Sequence, residues 1–182
     1  MPMTDRKLEA RWVLLAQTGD VAAFDRLLRS VQDPLYRYLL RLVGDRATAE
    51  DVLQEVFLLI YLKLQWLREP ELFRPWAYRV ATRQGFKVLR RERRWRRPDD
   101  SALALESIPA PEPPKAELLA RLPELVAQVS PASRAVLVLH YLHELPLDEV
   151  ADVIGIPLGT AKSRLAYGLA ALRQIVGNRE PT

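Results

Sequence analysis

The sequence predicts an all-α chain: two small helical domains joined by a flexible, proline-rich acidic linker. Three observations carry this. Apolar residues recur at helical spacing on both sides of residues 98–114. No alternating run rich in Val, Ile and Thr and bounded by turn signals occurs, so strands are not expected. Residues 98–114, PDDSALALESIPAPEPP, hold five prolines and four acids with no helical or strand period. Prolines stiffen and extend such a segment and remove backbone donors, which sets the domains at residues 1–97 and 115–182.

In the first domain Asp20 can cap a helix carrying Val21, Phe24, Leu27, Leu28 and Val31. Asp33-Pro34 then starts another with Leu35, Tyr38, Leu39 and Leu42, ended by Gly44-Asp45. Thr48-Ala49-Glu50-Asp51 has the form of a capping box, opening a third helix with the stripe Val52, Val56, Leu59, Ile60 and Leu64. Residues 66–73 form a loop containing Pro70, and a fourth helix runs from about Arg74 into an arginine-rich tail. In the second domain Ser130-Pro131 supplies a cap and a first-turn proline for a helix holding Val136, Leu137, Leu139 and Leu142. Residues 147–165, LDEVADVIGIPLGTAKSRL, are the sequence form of a helix-turn-helix. Gly155 suits the left-handed position that ends the first helix, Ile156 can plug the gap, and small Ala151 permits close crossing.

Composition narrows the function. With 49% hydrophobic and 27% charged residues the chain has apolar mass for real cores. No apolar run approaches the roughly 20 residues of a membrane span, and the N-terminus has no signal-peptide core, so a cytoplasmic location is expected. Zero cysteines exclude disulfides, thiolate nucleophiles and cysteine-based zinc sites. His140 and His143 lie three apart, an incomplete metal set, and Gly155 to Ser163 lacks the Gly-Lys-Ser/Thr run of a phosphate loop. No nucleophile elbow, dinucleotide fingerprint or HExxH occurs. No catalytic residue, metal or cofactor is expected, and the chain does not read as an enzyme.

Charge is localised. Lys+Arg against Asp+Glu is 20 to 12 in residues 1–97, 0 to 4 in 98–114 and 7 to 7 in 115–182. From Arg74 to Arg97 there are ten basic residues and one acid, Glu92. Arg79, Arg83, Lys87 and Arg91 step by four and share a face that can track phosphates. Trp76, Val80 and Leu89 point to the core side. Trp66 and Phe73, with Trp76 and Tyr78, place rings beside that track, where they can stack on unpaired bases. In the helix-turn-helix, Thr160, Lys162, Ser163, Arg164 and Tyr167 can donate to phosphates and base edges in a major groove. On the third helix Asp51, Gln54 and Glu55 form an acidic face without the pocket or partner that acid-base chemistry needs. It suits docking to a basic protein surface.

Together AEDVLQEVF (49–57), FRPWAYRVATRQGFKVLRRERR (73–94) and LPLDEVADVIGIPLGTAKSRL (145–165) resemble bacterial sigma factors of the sigma-70 family, in particular the small extracytoplasmic-function (ECF) group. The resemblance covers residues 18 to 176 in the expected order. It implies a subunit that joins core RNA polymerase, recognises promoter DNA and helps open it. By resemblance, Asp51, Gln54 and Glu55 dock on the clamp helices of the beta-prime subunit, with the beta flap as a further polymerase contact. The minus-ten element falls to Trp66, Arg68, Arg74, Arg79, Arg83, Lys87, Arg90 and Arg91. The minus-thirty-five element falls to Thr160, Lys162, Ser163, Arg164 and Tyr167. An anti-sigma factor is a further implied partner, and the acidic linker a plausible RNA mimic inside polymerase.

The chain also departs from the family pattern. Thr82-Arg83 stands where Arg-Asn is frequent, Lys87 where an acid is usual, and Pro146 where a Ser or Thr cap is usual. Ala166-Tyr167-Gly168-Leu169 replaces a run of arginines, and Gly168 weakens its helix by about 1 kcal/mol relative to Ala. The neutral second domain should therefore bind DNA weakly alone and depend on tethering. The rival readings are a stand-alone helix-turn-helix regulator and a sigma-like decoy that only binds regulatory proteins.

Overall fold

A computed structural model describes residues 3–95 and 116–177, with side chains over 6–91 and 121–177. Every regular element among the described residues is helical. The linker 98–114 and Arg96 and Arg97 lie outside the described residues, and the side chains of Arg93 and Arg94 outside the described side chains.

Helix α1, Met3–Gln17, was not anticipated from the sequence. Its inward stripe is Glu9, Trp12, Val13 and Ala16, so an acid occupies a core position. Arg74 meets it: Nε and Nη2 donate to the Glu9 carboxylate at 2.6–2.9 Å.

Helix α2 spans Val21–Val43. Asp20, in extended conformation, caps it by accepting the Ala23 N–H at 3.0 Å. The expected break at Asp33-Pro34 does not occur. Proline 34 cannot donate to the carbonyl four residues earlier, Ser30, and the Arg74 guanidinium donates there instead, Nη2 to O at 3.2 Å. The fully buried stripe Leu27, Val31, Leu35, Tyr38, Leu39 and Leu42 runs straight through the proline. At about 1.5–3 kcal/mol for each buried large side chain, it outweighs the ~3 kcal/mol cost of an internal proline. Gly44, at φ 85°, ends the helix with its N–H on Leu40 O at 2.9 Å.

Helix α3, Arg46–Lys63, is capped by Asp45, whose carboxylate accepts the Thr48 N–H at 2.8 Å. This corrects the expected capping box at Thr48 and Asp51. Asp is a stronger N-cap than Thr, so the helix starts one turn earlier and Asp51 is left exposed within it. Two 3₁₀ turns, Leu64–Trp66 and Pro70–Leu72, lead into α4, Phe73–Trp95. The Gln17 amide pins this loop to α1 by donating to Leu64 O and Leu67 O, both at 2.9 Å. Helices α2 and α4 cross closely at Gly85, where a Cβ would lie 2.6 Å from Leu42 Cδ2.

The second group comprises α5 (Ala116–Leu125), α6 (Pro131–Leu137), α7 (Leu147–Ile154) and α8 (Leu158–Gly177). Ser130 caps α6 as expected, and a π turn, Val138–Leu142, follows it. Gly168 has a packing reason for the helix propensity it forfeits. A Cβ there would meet Leu137 Cδ1 at 2.7 Å and Ser133 Cβ at 3.3 Å, so the glycine lets α8 settle on α6.

The two groups share one buried cluster, running from Val13 and Leu27 to Leu169 and Leu172. Helix α7 packs on α4, and α6 with its π turn packs on α2.

Candidate nucleic-acid and protein interfaces

On α3, Asp51, Gln54 and Glu55 are all exposed, and neither acid forms an ion pair among the described residues. Sequence reasoning missed what continues that face. Leu58, Tyr61 and Leu62 follow at steps of three and four and are 58%, 66% and 53% exposed. Their spacing with Glu55 was the available signal: an apolar stripe on the side of the helix away from the core. Tyr61 packs edge-on against Phe24, ring centroids 5.5 Å apart, beside a cavity of ≈ 380 Å³ between the α1–α2 turn and the end of α3. The face is thus acidic in its first half and apolar in its second.

The loop between α3 and α4 carries the exposed ring. Trp66 is 74% exposed on a second cavity, ≈ 440 Å³, also lined by Lys63, Leu67, Arg68, Leu72 and Trp76. Two of the four expected rings are withdrawn. Phe73 is 1% exposed in the core, tilted against Trp76 at 6.2 Å, and Tyr78 is buried against the second group. Both fall on the inward side of α4, whose buried positions include Phe73, Ala77, Tyr78, Ala81, Thr82 and Gly85.

Along α4 the structure leaves Arg83, Lys87, Arg90 and Arg91 exposed and Arg79 half-buried, with Arg68 exposed in the loop before it. Arg74 differs: its Nε and Nη2 donors are committed to Glu9 and Ser30, which gives it a structural task. Thr82, a departure from the family pattern, is buried. Its hydroxyl donates to Tyr78 O at 2.7 Å and accepts from Tyr38 Oη at 2.8 Å. Burial holds the Tyr38 hydroxyl far above its ordinary value and pushes Tyr78 up to about 12, so both stay neutral.

The helix-turn-helix is α7, a turn and α8. Gly155 at φ 77° closes α7, and both its N–H and that of Ile156 donate to Ala151 O, at 2.8 and 3.0 Å. Pro146 gives no side-chain cap, and α7 starts with the Val150 N–H on Pro146 O at 2.9 Å, while Asp148 and Glu149 complement its positive end. On α8, Lys162 and Ser163 are exposed and Thr160, Arg164 and Tyr167 half-buried. Ser163 Oγ donates back to Gly159 O at 3.0 Å. Positions 160, 163, 164 and 167 share one side of the helix by spacing, with Lys162 adjacent.

The two histidines have separate tasks. His140 Nδ1 lies 2.9 Å from Leu145 O, and His143 Nδ1 shares a 2.8 Å hydrogen bond with Tyr78 Oη. Among the described residues no group of His, Asp and Glu is arranged to hold a metal, and no helix is long and apolar enough to cross a membrane.

Two family models match: Sigma-70 region 2 over residues 27–95 and Sigma-70 region 4 over residues 125–174. The chain is 34% identical over 171 residues to the ECF RNA polymerase sigma factor SigL of Mycobacterium tuberculosis, covering 86% of this chain and 92% of that one. It is 27% identical over 168 residues to the ECF sigma factor SigW of Bacillus subtilis, covering 86% and 90%. Its fold is similar to that of the sigma factor RpoE, solved with the anti-sigma factor NepR from Bartonella quintana (TM-score 0.66, 19% identity, 88% and 100% coverage). Two region models in order, a 34% identical relative matched over nearly its whole length and an all-helical fold lead to one conclusion: the chain belongs to the ECF group of the sigma-70 family of RNA polymerase sigma factors.

Proposed function

We propose that this chain docks on core RNA polymerase through α3, reads the minus-thirty-five element with α8 and opens the minus-ten element with the Trp66 loop and α4. The carrying observation is Trp66: a ring 74% exposed on an open cavity that Lys63, Arg68 and Glu69 also line, with a basic helix following. The ring shares that cavity with Leu72, 47% exposed, so an apolar patch is open there, and stacking on an unpaired base is worth about 1–3 kcal/mol. Arg79, Arg83, Lys87, Arg90 and Arg91 would track phosphates, each contact releasing counterions and steepening the salt dependence. Arg68 flanks the captured base, and Arg74 braces α1, α2 and α4.

Asp51, Gln54 and Glu55 meet a basic polymerase surface, the beta-prime clamp helices, and Leu58, Tyr61 and Leu62 extend that contact with apolar area. Thr160, Lys162, Ser163, Arg164 and Tyr167 face the upstream element, with region 4 held near the beta flap. The chain works in the cytoplasm, performs no bond-making step itself and leaves phosphodiester synthesis to the polymerase. An anti-sigma factor regulates it, a reading supported by the RpoE–NepR complex of similar fold.

Size-exclusion chromatography with core polymerase, followed by a mobility shift on promoter duplex, tests this reading. Co-elution, and a promoter shift that neither component gives alone, is expected. A shift by the chain alone with no polymerase association would favour a stand-alone helix-turn-helix regulator instead.

A further inference from the structure

Helix α3 presents one continuous outward stripe. Asp51, Glu55, Leu58 and Leu62 follow one another at steps of four, three and four, which keeps them within about 60° of one another around the helix. Gln54 and Tyr61 flank the stripe on one side and Lys63 on the other, and all of these residues are exposed. The apolar part extends beyond α3. Val21, 80% exposed, and Phe24, which packs edge-on against Tyr61, line the same cavity as Tyr61 and Leu62.

Charge changes sign along this stripe. Asp51 and Glu55 lie in its N-terminal part, Lys63 ends the helix, and Arg68 is exposed in the loop beyond. None of the four forms an ion pair among the described residues. Leu58, Tyr61 and Leu62 separate the two signs.

A surface that is acidic at one end, apolar in the middle and basic at the other complements itself when turned end for end. Two copies of α3 packed antiparallel about a two-fold axis near residue 59 place Glu55 of each opposite Lys63 of the other, because both lie about 6 Å along the helix from that axis. The two-fold brings each flank against its own equivalent, and Glu55 and Lys63 lean to the same flank. Leu58 and Leu62 of the two copies interleave at the centre, Val21 and Phe24 widen it on the Tyr61 side, and Asp51 falls level with the loop that carries Arg68. A parallel pair would set acid on acid, so charge selects the antiparallel register. One helix face with the Val21 edge is a small interface beside the roughly 800 Å² per partner of a stable complex, which fits a transient dimer.

We infer that the free chain pairs with a second copy of itself through antiparallel α3 helices, and that this pairing hides the face that docks on polymerase. The pairing stands on the α3 stripe alone, and its consequence for polymerase rests on the function proposed above. Sedimentation velocity of the full chain from about 1 to 500 µM tests it, with a monomer-to-dimer shift expected on the order of 10–100 µM. Glu55→Lys and Lys63→Glu should each weaken pairing about 5-fold or more, and Leu58→Ser with Leu62→Ser should abolish it. The charge-swapped chain, Glu55→Lys with Lys63→Glu, should regain pairing and stay defective for polymerase, since only the second copy carries the swapped partner. Core polymerase added to the wild-type dimer should give a one-to-one complex. A monomer throughout the range, a dimer indifferent to these variants, or no rescue in the charge-swapped chain overturns the pairing and leaves the sigma reading standing. Two copies retained on one polymerase overturn the masking. A dimer that behaves as expected but never associates with polymerase overturns the sigma reading and leaves the pairing intact.

Discussion

Arg74 and Glu9, 65 residues apart in sequence, form a two-point ion pair at the junction of α1, α2 and α4, and the same guanidinium supplies Ser30 O with the donor that Pro34 lacks. Glu9→Ala should destabilise the chain by roughly 3–5 kcal/mol, because it strands a mostly buried cation, and Glu9→Gln should cost less. Urea denaturation checks this. Equal midpoints for wild type and Glu9→Ala would show that the pair contributes nothing.

Gly168→Ala gains about 1 kcal/mol of helix propensity and should nevertheless destabilise, because its Cβ would fall 2.7 Å from a fully buried Leu137. The net loss should be about 1–2 kcal/mol, and Leu137→Val should partly offset it in the double variant. Thermal melts of the four chains give the coupling directly. Strict additivity would rule out the steric explanation.

His143 is held neutral. Burial lowers its pKa from the ordinary 6.5 to about 4, with Arg41 and Arg37 adding repulsion. The unfolded chain therefore takes up a proton between about pH 6.5 and 4 that the folded chain refuses. Stability of the fold is full above that window and falls as pH drops through it. Denaturation midpoints at pH 7.5, 6 and 5 should decline more steeply for wild type than for His143→Gln. Parallel curves would show that His143 does not carry the dependence.

The helix-turn-helix, the α2 and α6 caps and the basic run were legible because each rests on local chemistry: a side chain and a backbone N–H two or three positions on, or a repeat of three to four residues. What the sequence hid was long-range. Pro34 reads as a break until Arg74, forty residues later, is placed at Ser30 O. Helix α1 is obscured by an acid on its inward face, whose partner lies in α4. Phe73 and Tyr78 share residue type and neighbourhood with Trp66, and only packing shows that Trp66 alone of the three remains exposed. The contact between the two groups has no local signature at all.

The α3 face divides its work between charge and apolar area. Asp51→Lys with Glu55→Lys should abolish binding to core polymerase while leaving helix content unchanged, since both residues are exposed and neither caps the helix. Leu58→Ser with Leu62→Ser should weaken binding about 10-fold or more, with circular dichroism again unaltered. Unchanged co-elution of the charge-reversed chain would remove α3 from the docking surface.

Promoter-directed initiation is tested most directly by run-off transcription with core polymerase and this chain on genomic templates, followed by mapping of start sites. Discrete transcripts that require the chain are expected, lost with Asp51→Lys/Glu55→Lys and reduced at least 5-fold with Trp66→Ala, about the equivalent of losing one stacked base. Absence of any chain-dependent transcript, or full activity of Trp66→Ala, would contradict it.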